Sequence, residues 1–95
     1  MRKDYSLKIG RIQIDDDRDS VSITIDKERY VAKTYPGAGR LYHITKMDDI
    51  SHNNIDISEK TNCFPAGKRY AIDFILCYAG LPTYQTLVKR AKEVA

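Results

Sequence analysis

A chain of 95 residues, 42% hydrophobic and 31% charged, has room for one domain with one modest core and is too apolar for a disordered tail. Its net charge of +3 favours solubility and weak attraction to polyanions, and two cysteines are too few for a disulfide scaffold. The longest uncharged stretch, residues 74–88, contains Gly80, Pro82, Thr83, Gln85 and Thr86, which excludes a membrane span.

The N-terminal segment "MRKDYSLKIG" lacks the apolar core of a signal peptide, so the sequence predicts a cytoplasmic chain with Cys63 and Cys77 reduced. Leu7 and Ile9 alternate with polar residues, and Ile12 and Ile14 do so on the other parity. The phase slips at Gly10-Arg11, where a glycine predicts a bulge or sharp bend. After the polar turn "DDDRDS", Val21, Ile23 and Ile25 alternate with serine and threonine, the pattern of a half-buried strand. "DKER" predicts a hairpin turn, and "YVAKTY" and "RLYHITK" two more extended segments joined by "PGAG". Residues 47–67 lose periodicity and predict a long ordered loop with at most a short turn of helix. "KRYAIDFILCYAG" is apolar nearly all round, which suits a buried helix stopped by Gly80, with a buried strand as the alternative. Pro82 and Thr83 then open a second helix, with Thr83 as N-cap and one apolar face.

The expected fold is α+β: a single domain over residues 1–95, with a four-stranded, mainly antiparallel sheet over residues 5–46. Two C-terminal helices, residues 68–79 and 83–95, cover one face. The expected core comprises Leu7, Ile9, Ile12, Ile14, Val21, Ile23, Ile25, Ile44, Phe74, Ile75, Tyr78, Leu87 and Val88, with Cys77 also inside.

No motif in the chain specifies an activity. Gly37 and Gly39 are two apart and lack the spacing of a phosphate-binding loop; Pro36-Gly37 fits a type II turn instead. Asp15, Asp17, Asp19 and Asp26 fall at positions 1, 3, 5 and 12 of a calcium loop, but Ser20 stands where glycine is needed, and strands flank it. His43, His52, Cys63 and Cys77 lack the close pairs of a zinc module. Neither Arg40, Tyr42 and His43 as an acid–base set nor His43 with Cys63 as a thiol pair is supported by spacing, so no enzyme, metal or cofactor is expected.

Charge comes in blocks: residues 29–46 carry four cations and no acid, between two acidic stretches. Lys33, Tyr35, Arg40, Tyr42, His43 and Lys46 therefore form the expected contact surface, mixing cations with rings. The functional expectation is a small non-enzymatic accessory or inhibitor protein, of a kind carried by phages and mobile elements, that docks on and masks a larger protein through this hairpin. The alternative is nucleic-acid binding by the same hairpin, joined by Lys89, Arg90 and Lys92.

Overall fold

The structure of the chain is a computed structural model, which describes residues 4–34, Gly37, 40–47 and 54–94. Six strands follow one another as β1 (Leu7–Ile9), β2 (Ile12–Asp16), β3 (Ser20–Ile25), β4 (Glu28–Lys33), β5 (His43–Met47) and β6 (Asn54–Asp56). They form one antiparallel sheet in sequence order, each strand paired with the next. Three helices complete the fold: α1 (Ile57–Thr61), α2 (Lys68–Tyr78) and α3 (Tyr84–Val94).

The α+β expectation holds in outline, with six strands rather than four. The phase slip at Gly10-Arg11 is not a bulge within one strand. Ile9 pairs with Ile12, so these two residues form a tight hairpin turn that keeps Leu7, Ile9, Ile12 and Ile14 on one face. Gly10 has φ +56°, and glycine is preferred at the first central position of such turns. The expected loop over residues 47–67 contains β6 and α1. The β2–β3 and β3–β4 turns lie at opposite ends of β3, about 20 Å apart at 3.3 Å per residue. Asp26 is therefore separated from Asp15, Asp17 and Asp19 and shares no calcium loop with them.

β3 explains the layer arrangement. Its β-branched residues Val21, Ile23 and Ile25 are buried while Ser20, Ser22 and Thr24 on the other parity are half-exposed. Register carries this division across the sheet: Ile14, Ile23 and Tyr30 align on one face, Asp15, Ser22, Val31 and Thr45 on the other. Ala71, Ile72, Ile75 and Leu76 of α2 pack on the first face, and Tyr84 and Leu87 of α3 join the same core. The 20 Å short dimension of the molecule accommodates one sheet and one helix layer.

A buried ion pair fixes α2 at its start. Lys68 Nζ lies 2.6 Å from Asp16 Oδ1, whose carboxylate is 1% exposed, and donates to the carbonyls of Asp17 and Arg18 as well. The other Asp16 oxygen accepts from the Tyr5 N–H at 2.8 Å. At the middle of α2, Asp73 accepts from the Tyr84 N–H at 2.9 Å and pairs with Arg69, which orients α3. Thr83 Oγ1 accepts from the Thr86 N–H, the expected N-cap bond.

Two core expectations fail. Cys77 is exposed, and Tyr78 is 46% exposed. The reason is that α2 lies on the molecule's surface and buries only the stripe at positions 71, 72, 75 and 76.

Candidate functional site

Strand alternation distributes the six expected contact residues over different surfaces. In β5, Ile44 faces the core, so Tyr42 and Lys46 share its side and His43 and Thr45 take the other. Tyr42 is a core residue at 9% exposure. Lys46 is half-buried on the helix-covered face, 3.1 Å from Glu28 Oε1 and 5.6 Å from the centroid of the Tyr30 ring. The hydrogen bond that Lys46 donates to Glu28, followed by the Tyr30 and Glu28 fields, outweighs desolvation and raises the Lys46 pKa. Burial raises that of Tyr30. Tyr42 thus lies in the core, and Lys46 keeps part of its side chain at the surface of the covered face. Ile44 already marked their parity in the sequence, which was the available signal against placing them on a contact surface.

Lys33 and His43 are brought together. They are direct register partners on the face opposite the helices, Lys33 exposed and His43 half-buried. The His43 ring meets Phe64 edge-to-face, centroids 5.1 Å apart. Phe64 belongs to an extended segment that prolongs the edge beside β5: Tyr42 N–H donates to the Pro65 carbonyl, and Leu41 bridges Ala66. Arg40 lies elsewhere, exposed at the start of α2. A Cβ built on Gly67 would sit 3.6 Å from the Tyr70 ring and 3.9 Å from the Arg40 guanidinium. Tyr35 falls outside the described residues, as do Pro36, Ala38 and Gly39; Gly37 has φ +87°, the sign a type II turn needs at its third position.

The uncovered sheet face thus has a definite composition over β4 and β5: Arg29, Val31, Lys33, His43, Thr45 and Met47, with no acid. Glu28 is on the opposite face with Lys46. On β6 the Asp56 carboxylate is turned to its own helix, capping α1 through the Glu59 N–H at 3.0 Å and accepting from Ser58 Oγ at 2.7 Å. Those bonds hold its pKa below the usual carboxylate range. Ser58, fully buried, also accepts from the Ile44 N–H. Asp15 lies on β2, two strands from β4, hydrogen-bonded by Gln13. The face is therefore cationic along β4, while at β5 the Asp56 carboxylate of β6 lies within the field of His43, and it becomes mixed toward β2.

Arg29, Val31 and Thr45 were missed by a reading that looked for cations beside rings. The alternation of Tyr30 and Ala32 inward with these residues outward is the signal that places them. Among the described residues, no three His, Cys, Asp or Glu side chains gather closely enough to hold a metal ion, and no helix is long and apolar enough to cross a membrane. Comparison of the chain with protein-family models, with curated proteins and with solved structures finds no match.

Proposed function

We propose that this protein is a small non-enzymatic binding module that docks the uncovered face of β4 and β5 on an acidic surface of a larger protein and masks it. The observation that carries this reading is the division of charge between the two faces: Arg29, Lys33 and His43 share the open face with no acid on those strands, while Glu28 and Lys46 neutralise each other on the covered one. Strands β4 and β5, whose charges on this face are of one sign with half-buried Val31, Thr45 and Met47 between them, offer flat contact area together with steering. Complementary potentials raise the association rate and reject like-charged partners. Rigid strands hold these side chains in place, so little ordering is needed on binding.

The test is recovery of a partner from the source cell with the wild-type chain and with the double variant Arg29→Glu, Lys33→Glu. Both residues are exposed, so the variant folds normally. The reading predicts one acidic protein partner, whose affinity drops at least about tenfold in the double variant and whose association slows as salt rises. Retention of RNA or DNA instead, with an affinity falling steeply as salt rises, overturns it in favour of nucleic-acid binding. A protein partner indifferent to the double variant shows that the docking surface lies elsewhere.

A further inference from the structure

The helix layer carries an exposed apolar surface that the docking reading does not use. On α2 Tyr70, Phe74 and Tyr78 follow each other at intervals of four; Tyr70 is 66% exposed, Phe74 is half-buried against the core, and Tyr78 is 46% exposed with its ring edge-to-face with Tyr30. Residues four apart line up as one ridge on a helix surface, and packing two such ridges gives the commonest helix–helix crossing, near −50°. Beside the ridge is an open groove of about 510 Å³, lined chiefly by Cys63, Pro65, Tyr70, Phe74 and Cys77. Ridge and groove share one patch.

We propose that this patch is the interface of a symmetric homodimer, in which α2 crosses α2 of a second copy about a two-fold axis near Phe74. A two-fold interface must be complementary to itself. The order Tyr-x-x-x-Phe-x-x-x-Tyr reads the same in both directions, so an antiparallel crossing sets Tyr70 of one copy near Tyr78 of the other and seats each ridge in the facing groove.

Charge points to the same occupant. The first turn of α2 contains no acid, and Arg40 stands beside it; among the described residues its guanidinium has no ion-pair partner. The last turn of α2 contains no base of its own, although Arg11 and Lys27 come near its C-cap, Ala79, together with Asp26 and Glu28. Two copies in antiparallel orientation bring Arg40 of each toward the base-free last turn of the other. The ridge itself is uncharged, and Asp73 beside it is paired with Arg69, so no like charges meet at the centre. This association uses the face away from Arg29 and Lys33 and is independent of the docking reading.

Sedimentation equilibrium over a concentration series tests it. The wild-type chain should approach twice the monomer mass as concentration rises. Tyr70→Glu, at the most exposed position of the ridge, should remain monomeric with an unchanged circular dichroism spectrum. Arg40→Glu should weaken the dimer by about tenfold or more, because it sets an acid against the negative helix end. A wild-type chain that stays monomeric throughout overturns the proposal, including when a protein of different sequence occupies the ridge. A dimer that Tyr70→Glu leaves intact also overturns it, since the contact would then lie on another surface.

Discussion

At the scale of single residues, the fold depends on a few polar groups taken out of water with their partners. Asp16 and Lys68 are the clearest case. Replacing Lys68 by Met leaves a carboxylate at 1% exposure without its counter-charge, and removing one member of a buried pair typically costs about 3–5 kcal/mol. Denaturant titration of Lys68→Met should show a loss of that size, whereas exposed Arg11→Met, which breaks the surface pair with Asp26, should cost less than about 1 kcal/mol. Asp56 supplies a second test. Its folded pKa is depressed chiefly by the Glu59 N–H bond, so its contribution is present above the unfolded value of about 3.9 and is lost as pH falls through the lower folded value. Asp56→Ala should destabilise by about 1 kcal/mol at neutral pH, and thermal melts should show that difference shrinking under acid. The opposite sign applies to Tyr30 and Lys46, whose folded pKa values are raised: their contribution is intact below about pH 10 and lost as pH climbs through the folded values. Thermal stability should therefore fall in alkali, and Glu28→Gln should weaken that dependence. The Asp16–Lys68 partnership was not visible from the sequence, because the two residues are 52 apart and meet only through the fold.

At the scale of elements, alternation decides most of what was legible. Val21, Ile23 and Ile25 identified their strand and its buried side without help from any neighbour. Tyr42, Ile44 and Lys46 obey the same period, and treating Tyr42 as a surface residue set local charge and aromatic content above that period; the structure buries Tyr42 and leaves Lys46 half-buried on the same side. Short elements escaped for the converse reason. Three residues of β6 and five of α1 are too few for either period to emerge, and α1 is defined by its Asp56 cap and the left-handed Asn62 that ends it. α2 was recognised as helical, but its apolar composition concealed that half of it faces outward, since tyrosine and cysteine read as core until the covering layer is known. The Gly10 turn offers a direct check. Gly10→Ala meets no atom within 4 Å, so only the positive φ opposes it. Urea unfolding should show a cost of about 1–2 kcal/mol.

At the scale of the whole molecule, one helix layer on a six-stranded sheet divides the surface into two unlike faces. The covered side holds the core and, beyond it, the outward ridge of α2. The uncovered side holds the cations of β4 and β5. Ile23, fully buried at the centre of the sheet, ties the layers together, and Ile23→Ala should cost about 2–5 kcal/mol and loosen both faces at once. Composition and charge blocks indicated a cationic segment, but the faces could be told apart only after register aligned Lys33 with His43 and Glu28 had been placed opposite. The most direct measurement is site-specific photo-crosslinking in the source cell, with the reactive side chain at Lys33 or Thr45 on the open face and, in a parallel chain, at Lys89 on α3. Docking by the open face predicts one protein adduct from Lys33 and Thr45 and none from Lys89; an adduct confined to Lys89, or nucleic acid as the species captured at Lys33, would contradict it.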